Sequence, residues 1–479
     1  MSLVSMKSFF TYASLFFLLS LFDAFAQEEE WKLTLLDQWP KENALGAEKS
    51  TLQQYFNDVW GWTSPDNREY AIIGSLDSTF FFDITNPSAI EKVDAVAGRY
   101  DKCVHRDFKT WKHYAYGVAD EGNSSLQIFD LSYLPDSVHV VYDSNELILR
   151  AHNIYIENER LYVATHTTKN GRIYPMSVFS LENPVNPELL SHFNPTPPFF
   201  SFVHDVHVLN DTAYCSMENL GYFIYDFTDP VNYELIAYTA HYPQQGYNHS
   251  SWLFHQNGNR YGVFADENHG LGLKMVELSD LNNVFVSNVF GLPDYRSKRS
   301  IAHNPFVLDD SLCYVAYYHD GVQVFNVKNP QQPFYLTSYD TYPAFPNASL
   351  ERRTGYAGCW GVYPFFPSGT VIASDMSFGL HVMRLELERQ EEQPLSIKAS
   401  PNPFQQELML SWNHPPQAER VRLSWINLSG RILNTKTVNL ANGQQTLVLS
   451  TEGLPNGFYL LNVEMRGLGV EVLKVLKQN

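Results

Sequence analysis

Residues 302–342 read as four short strands separated by turns, and this unit constrains the fold more than any other feature of the sequence. Gly321 lies in the turn between the second and third segments, where glycine readily adopts the positive φ that such turns need. Pro330 follows the third segment and ends the ladder, because proline has no backbone N–H to donate. The third segment is apolar on both faces, which suits a strand that is buried on both sides. The predicted strands are His303–Leu308, Leu312–Tyr318, Val322–Val327 and Phe334–Tyr339.

The third strand of this unit recurs along the chain, together with the turn that closes it. The recurrence has a period of about 45 to 55 residues, which is within the range expected for the blades of a β-propeller. Each blade of a propeller is a sheet of four antiparallel strands. The related segments are Phe80–Pro87, Leu126–Leu131, Val178–Pro184, Tyr222–Pro230, Lys274–Asp280 and Leu380–Leu385.

The first strand of the unit recurs as well, and it indicates the number of repeats. The related segments predict about seven blades, which is a common number for a closed ring of this type. We therefore predict an all-β chain in which a seven-bladed β-propeller occupies residues 27–386. The segments begin at Asn57, His105, Ala151, His204, Asn248, Ala302 and Ala357.

Residues 31–39 alternate in the manner of a β-strand. They resemble the fourth strand of the unit, Phe334–Tyr339. An open ring would leave a bare strand edge, and pairing of the two ends removes that edge. We therefore predict that Trp31–Trp39 supplies the missing outer strand of the last blade.

The N-terminal segment, residues 1–26, has the composition of a secretory signal peptide. Lys7 provides the positive charge, Phe9–Phe22 is the apolar run, and small residues occupy the cleavage positions before Gln27. We predict cleavage after Ala26, and an N-terminal membrane anchor is the alternative. We expect no transmembrane helix in the mature chain, because no other segment is long and apolar enough to cross a membrane.

The composition changes after a charged linker at residues 387–394, which ends in proline. Residues 395–479 then read as a separate all-β domain with about seven short strands. That number of strands in that length favours a small immunoglobulin-like β-sandwich. The predicted strands are Leu395–Ala399, Glu407–Trp412, Val421–Asn427, Thr435–Asn439, Gln445–Leu449, Gly457–Glu464 and Gly469–Leu476.

The net charge of the chain is −19, from 52 acidic and 33 basic residues. Nucleic acids bind to basic surfaces, so this charge argues against nucleic acid as a partner. The spacing of the cysteines fits no zinc motif. The sequence leaves open whether they are unpaired core thiols or include one disulfide. They are Cys103, Cys215, Cys313 and Cys359.

Polar residues recur where the first strand of each predicted blade begins, close to one mouth of the central channel. Four successive repeats have a histidine there, and an aspartate or asparagine often follows. Acidic residues also end several second strands, as at Asp266 and Glu267. We predict that these side chains converge at the channel mouth. The candidate ligand-binding residues are His152, His204, His249, His303, Asp58, Asp107, Asp205 and Asn304.

Three interpretations of this pattern remain open. Imidazoles and carboxylates that converge can bind a divalent metal ion, which could polarise a carbonyl or activate water. They could equally hold an acidic or polar ligand. Polar side chains near a propeller axis also commonly hydrogen-bond to neighbouring blades and to channel waters. The candidate metal ligands are His152, His204, His249, His303, Asp266 and Glu267.

The sequence contains no serine nucleophile elbow, phosphate-binding loop or zincin helix. We therefore expect a binding or interaction module that acts through the His- and Asp-lined channel mouth. The alternative is a metal-dependent extracellular hydrolase that uses the same residues on an ester, lactone or glycan, with a divalent metal ion as cofactor. A purely structural surface protein is the third hypothesis.

The C-terminal domain resembles the sorting domains that Bacteroidetes-type bacteria use for type IX secretion. The resemblance rests on Pro401–Phe404, Asn427–Arg431, Leu454–Tyr459 and the basic tail Leu473–Lys477. It implies export across both membranes, interaction of residues 395–479 with the secretion machinery, and removal of the domain at the surface. A secreted or outer-surface location follows from this resemblance.

The predicted propeller resembles the LVIVD-repeat proteins, and more closely the choice-of-anchor B family among them. His249–Trp252 departs from the family pattern, in which Gln and Gly are expected in the middle. The resemblance implies a propeller at the cell surface and no established reaction. It rests on Asn57–Gly61, Arg106–Lys109, Ala151–Ile154, His204–Val206, Asp266–Glu267, Ala302–Asn304, Trp360–Phe365 and Pro367–Gly369.

Overall fold

The computed structural model describes residues 30–40, 54–195, 201–342, 355–388, 396–412, 420–441, 444–465 and 469–479. The predicted signal peptide lies outside the described residues, as does most of the predicted linker. The chain separates into two compact units, of which one is Trp31–Glu386 and the other contains Leu387–Asn479. We call them the N-terminal and the C-terminal unit.

Strands make up nearly all the regular structure of both units, which confirms the prediction of an all-β fold. The described residues contain one short helix, α1 (Tyr295–Lys298). Within the described part of the chain, we find no helix with the length and apolar character needed to cross a bilayer. The four cysteines are separate, buried thiols, so the alternative with a disulfide is wrong.

In the described residues, the N-terminal unit contains seven sheets of four strands each. The strands are numbered in chain order, and consecutive strands within sheets 1 to 6 pair antiparallel. Sheet 1 contains β2 (Phe56–Thr63), β3 (Glu69–Ser75), β4 (Ser78–Asp83) and β5 (Glu91–Ala97); sheet 2 contains β6 (Arg106–Trp111), β7 (Tyr114–Ala119), β8 (Leu126–Asp130) and β9 (His139–Ser144); sheet 3 contains β10 (Asn153–Glu157), β11 (Arg160–Thr167), β12 (Ile173–Ser180) and β13 (Glu188–Phe193).

The remaining sheets repeat the same design, with buried third strands and more exposed outer strands. Sheet 4 contains β14 (Asp205–Leu209), β15 (Thr212–Ser216), β16 (Tyr222–Asp226) and β17 (Glu234–Thr239); sheet 5 contains β18 (Asn248–Gln256), β19 (Asn259–Asp266), β20 (Leu273–Glu277) and β21 (Phe285–Phe290); sheet 6 contains β22 (Pro305–Leu308), β23 (Leu312–Ala316), β24 (Val322–Asn326) and β25 (Phe334–Tyr339); sheet 7 contains β26 (Cys359–Tyr363), β27 (Thr370–Asp375), β28 (Gly379–Glu388) and β1 (Glu30–Trp39).

Sheet 7 combines the two ends of the N-terminal unit. Its strand order is β1-β28-β27-β26, so β1 forms the outer strand, which confirms the prediction from the sequence. Leu33 of β1 is 3% exposed and belongs to the same apolar cluster as Val371 and Met383. The side chain of Gln38 donates a hydrogen bond to the carbonyl oxygen of Phe378 at 3.3 Å.

Contacts between the sheets follow a cyclic order. The first strands β2, β6, β10, β14, β18 and β22 contact one another in sequence, β23 contacts β26, and β26 contacts β2. An apolar cluster lies at each boundary between neighbouring sheets, including the boundary between sheets 7 and 1. Each of the seven sheets is therefore packed on both faces by its neighbours.

The first strand of the 302–342 unit begins two residues later than predicted. It starts at Pro305, and His303 precedes it, with a backbone N–H that donates to Ala316 O at 2.9 Å. His303 is therefore held at the entry to the strand rather than within the regular ladder. Gly321 has a φ of 75°, as the turn requires.

The C-terminal unit contains two antiparallel sheets, with strand orders β29-β30-β33 and β32-β31-β34-β35 among the described residues. Leu408 and Leu410 from one sheet share a core with Leu423, Leu461 and Val463 from the other. The strands are β29 (Ile397–Ser400), β30 (Glu407–Trp412), β31 (Arg420–Asn427), β32 (Ile432–Asn439), β33 (Thr446–Ser450), β34 (Gly457–Met465) and β35 (Gly469–Lys477).

Candidate functional site

Six aromatic side chains form a closed circuit where the first strands begin, and we call this cluster the histidine ring. Ring centroids are 4.1 to 4.3 Å apart along His152, His204, His249 and His303. Trp360 and His105 close the circuit, with centroid distances of 4.9 Å from His303 to Trp360, 5.1 Å from Trp360 to His105, and 5.8 Å from His105 to His152. The structure therefore brings the four sequence-predicted histidines together.

His105 was missed by the sequence analysis as a member of this site. Arg106 occupies the corresponding repeat position, but its guanidinium turns away and donates to Ser75 O at 2.8 Å and Tyr100 O at 3.0 Å. The imidazole one residue earlier takes its place in the ring. The available signal was the histidine immediately before Arg106, which is displaced by one residue from the other repeats.

In four members of the histidine ring, Nδ1 is engaged by an oxygen of the protein. Nδ1 of His204 donates to His249 O at 3.2 Å, and Nδ1 of His303 donates to Trp360 O at 2.6 Å. Because a carbonyl oxygen only accepts, Nδ1 carries the proton in both residues, and Nε2 of a neutral ring keeps its lone pair. Nδ1 of His152 lies 2.6 Å from Asp120 Oδ2, and Nδ1 of His105 contacts Glu121.

Burial sets the charge of these imidazoles. Burial, together with the neighbouring imidazoles, lowers the pKa of His204 and of His249 well below the ordinary value. Burial also lowers the pKa of His303 to about 3. At His152 burial acts in the same direction, but the hydrogen bond to Asp120 outweighs it and the pKa is raised. Three members of the ring are thus neutral near pH 7.

Glu267 faces the histidine ring, whereas Asp266 does not. One carboxylate oxygen of Glu267 lies 3.8 Å from His249 Nε2, and the other accepts a hydrogen bond from the hydroxyl of Tyr318. Asp266 is fully buried elsewhere, where it lies 2.5 Å from Lys274 Nζ. Asp266 is the last residue of β19 and Glu267 follows it. Consecutive residues of an extended segment face opposite sides, which explains why only one of this acidic pair reaches the site.

Two groups of side chains near the ring have the composition of metal sites. The first is His204, His249 and Glu267, and the second is His105, Asp120 and Glu121. In each group, one potential ligand atom per residue lies within 4.8 Å of the others. Both groups combine imidazole nitrogen with carboxylate oxygen, which suits a divalent transition-metal ion.

A second polar layer lies beside the ring and contains the other predicted ligand-binding residues. Asp58, Asp107, Asp205 and Asn304 line a small cavity of about 30 Å³ together with the histidines. Burial raises the pKa of Asp58, and it raises that of Asp205 to about 7. Lys109 Nζ supplies a positive charge, 2.9 Å from Asp107 Oδ1. This layer is largely occupied by bonds within the protein.

A wider cavity of about 330 Å³ lies on the other side of the histidine ring. Besides the five histidines, its lining includes Glu267, Tyr318, Tyr356 and Trp360. No lysine or arginine of the described residues lines it. This cavity therefore combines aromatic walls with imidazole nitrogens and one carboxylate, and it is large enough for a small molecule.

Aromatic side chains pack the axis beyond the small cavity. They lie three residues further along the first strands, or about 10 Å from the histidine ring. Trp60 contacts Tyr363 and Phe306, Trp252 contacts Phe306 and His207, and Lys109 Nζ lies 4.3 Å from the centre of the Trp60 ring. Trp60 and Trp252 are therefore packing residues at the axis.

Comparisons with known proteins identify the C-terminal region. Residues 398–478 match the family described as the secretion system C-terminal sorting domain. The sorting domain indicates export by type IX secretion, so the protein is secreted or surface-attached, as in Bacteroidetes-type bacteria. It also implies an interaction with the secretion machinery. No curated protein matches the chain.

Several solved structures resemble the chain at low sequence identity. The periplasmic gluconolactonase PpgL of Pseudomonas aeruginosa is 11% identical, with a TM-score of 0.47, over 82% of this chain and 99% of that chain. The WD40 β-propeller domain of Doa1 is 9% identical, with a TM-score of 0.45, over 74% and 97%. PorZ, a surface component of the type IX secretion system of Porphyromonas gingivalis, is 10% identical, with a TM-score of 0.35, over 89% and 69%. At these values, none of the three indicates an activity for this chain.

Proposed function

We propose that the mature protein is a secreted or surface-attached seven-bladed β-propeller that works by binding a small polar ligand at the histidine ring. The cyclic contacts of seven four-stranded sheets support the propeller. The two sheets around one core support an immunoglobulin-like sorting domain at residues 395–479. We also propose residues 1–26 as the signal peptide, 27–386 as the propeller, 387–394 as the linker, and membership of the LVIVD-repeat class.

The observation that carries the proposed binding role is the histidine ring beside the wider cavity. Neutral Nε2 atoms and the Glu267 carboxylate accept hydrogen bonds, and no lysine or arginine of the described residues lines the cavity. The complementary ligand therefore carries hydroxyl or ammonium groups. Nδ1 of His204 and Nδ1 of His303 each donate to a carbonyl oxygen of the neighbouring sheet. This leaves the Nε2 atom of each ring to bind the ligand.

A ligand screen by thermal shift tests this function on the mature chain. A ligand that binds only the folded state raises the melting temperature by mass action. We expect glycans or amine-bearing peptides to produce such a shift, and a variant with both His204→Ala and His303→Ala to lose it. His255→Ala is the matched control, because this imidazole is exposed on sheet 5. An equal shift in the double variant would place the ligand elsewhere.

A second candidate function is a metal-dependent hydrolase of an extracellular ester, lactone or glycan. It is favoured by one observation, the grouping of His204, His249 and Glu267 beside the wider cavity. A metal ion there could polarise a carbonyl or activate water. The test is hydrolysis of chromogenic esters, lactones and glycosides with and without a chelator. Rates equal to those of buffer with every metal tested would exclude this activity for those substrates.

A further inference from the structure

We infer that His204, His249 and Glu267 bind one divalent transition-metal ion, with an open coordination position facing the wider cavity. This inference deepens the proposed function and rests on it, because the metal is then the group that holds the ligand. The ligand class becomes sharper as a result. It is a small molecule in which a hydroxyl oxygen or an unprotonated amine nitrogen can complete the coordination of the ion.

The donor set fits a metal that keeps an open position. Two imidazoles and one carboxylate are the ligands of many zinc sites with a fourth, exchangeable position, and of some non-haem iron sites. Donors bound to one tetrahedral zinc ion lie about 3.4 Å apart, given metal–ligand distances near 2.1 Å. His249 Nε2 and Glu267 Oε2 are already 3.8 Å apart, so small side-chain rotations complete the site.

The surroundings orient two of the three ligands as metal sites require. Nδ1 of His204 donates to His249 O at 3.2 Å, which fixes the ring and leaves Nε2 as the donor to the metal. The carboxylate oxygen of Glu267 that faces away from His249 is held by the hydroxyl of Tyr318. Such outer hydrogen bonds hold metal ligands in place and tune their basicity.

His249 is held with one ring nitrogen beside the other proposed ligands. Its side chain is nine-tenths buried or more, with 4% of the residue exposed, and it lines the wider cavity. Its Nε2 is the atom that lies 3.8 Å from Glu267 Oε2. A buried imidazole nitrogen next to a carboxylate and a second imidazole is positioned to share a metal ion with them.

The second metal-like group is less suited to an ion because its donors are already engaged. Asp120 is bonded to Nδ1 of His152 at 2.6 Å. Glu121 contacts Nδ1 of His105 and accepts the backbone N–H of His105 at 3.1 Å. Cys103 Sγ lies 2.8 Å from the same carboxylate. We therefore assign the ion to His204, His249 and Glu267, and the second group supplies a control variant.

Metal titration of the full mature chain tests the assignment without any assay of activity. Protein stripped with a chelator is titrated with Zn²⁺, Co²⁺, Mn²⁺ and Ca²⁺ in a calorimeter, and the visible spectrum of the Co²⁺ form reports the coordination. We expect one equivalent of Zn²⁺ or Co²⁺ to bind, a raised melting temperature, and no comparable binding of Ca²⁺, because imidazole favours transition metals.

Variants locate the ion. We expect His249→Gln and Glu267→Gln each to weaken Zn²⁺ binding more than 100-fold, and Tyr318→Phe to weaken it about 10- to 100-fold. Glu121→Gln is the matched control and should bind as the wild type does. Circular dichroism of each metal-free variant checks folding, and the Co²⁺ spectrum of the wild type remains informative if a variant does not fold.

The outcomes separate this inference from the proposed function. Failure of the wild type to bind Zn²⁺ or Co²⁺, or loss of binding in Glu121→Gln but not in Glu267→Gln, overturns the metal site. If the protein binds metal but no compound in the thermal-shift screen binds to it, the metal site is supported and the proposed binding role is contradicted. If the metal-free protein binds a ligand with an affinity that Zn²⁺ does not change, the binding role is supported. The inference that the metal holds the ligand is then wrong.

Discussion

The carboxylate of Asp107 in sheet 2 accepts the backbone N–H of Ile154 in sheet 3, with Asp107 Oδ2 2.8 Å from the nitrogen. Asp58 in sheet 1 makes the equivalent contact with Phe108 N in sheet 2 at 3.3 Å. This position bridges neighbouring sheets in sheets 1 and 2, while in sheets 3 to 6 the residue that precedes it is a histidine of the histidine ring. This division places connecting bonds and the candidate site in adjacent layers.

Lys109→Met should destabilise the protein by about 3 kcal/mol, because it leaves buried carboxylates without their positive partner. Lys109 Nζ lies 2.9 Å from Asp107 Oδ1, and both residues are buried. Adding Asp107→Asn should recover part of the loss, since the amide oxygen can still accept the N–H of Ile154. Urea unfolding of the single and double variants measures this, and strictly additive losses would show that the pair is not coupled.

Leu33→Ala should cost about 2 to 5 kcal/mol, because it removes a buried side chain from the strand that completes sheet 7. Val231→Ala is the control, since Val231 is 64% exposed, and it should change the stability by less than about 0.5 kcal/mol. Urea unfolding compares the two variants. A small effect of Leu33→Ala would mean that β1 contributes little to the closure of sheet 7.

Gly379→Ala should lower the stability of the protein more than Gly369→Ala does. Both glycines lie in sheet 7 or its turns, and both have positive φ, at 79° and 76°. An added Cβ at Gly379 would collide with the carbonyl oxygen of Trp39, whereas one at Gly369 meets nothing within 4 Å. Gly369→Ala should cost about 1 to 2 kcal/mol from backbone strain alone. Melting temperatures of both variants test this prediction. If the two substitutions lower the melting temperature equally, β28 does not pack closely on the end of β1.

Acidification should destabilise the protein, partly through His381. Burial lowers the pKa of His381 to about 4, while the unfolded chain protonates near 6.5. As pH falls from 6.5 to 4, the unfolded state takes up the proton first, so up to about 3 kcal/mol of stability is lost. His381→Gln should remove this part of the pH dependence, as measured by urea unfolding between pH 7 and pH 4.

The exposed His255 provides the control for that experiment. His255→Gln should leave the pH dependence close to that of the wild type, because this side chain is exposed rather than buried in the core. The prediction is wrong if the stability curves of His381→Gln and the wild type run parallel over the whole range. Histidines such as His166 and His207, whose pKa values burial also lowers, contribute equally in both proteins.

Much of the fold could be predicted because a repeated sequence must repeat its structure. The apolar third strands, the turn at Gly321 and the closing strand at Trp31–Trp39 follow directly from alternation and turn chemistry. The start of β22 could not be placed, because a residue at the entry to a strand has no periodic signal of its own. His303 was therefore predicted inside a strand that begins at Pro305.

The candidate site was predictable only where the repeat was regular. The four histidines at the same repeat position meet because equivalent positions lie at equivalent depth in packed sheets. His105 breaks the register by one residue, and Trp360 replaces histidine with another ring, so neither could be assigned to the site from spacing. Two acidic residues in a row point in opposite directions, so the sequence could not decide whether Asp266, at the end of β19, or Glu267, after it, faces the site.

The composition of sheet 7 has a consequence for how the molecule is made. The segment that completes it emerges from the ribosome, and from any export channel that threads the N-terminus first, before its partner β28 exists. A copy interrupted earlier keeps two bare backbone edges, which invite proteolysis and self-association. Only a copy that extends through β28 can pair its first strand with its last, so completion of sheet 7 requires synthesis of the whole N-terminal unit.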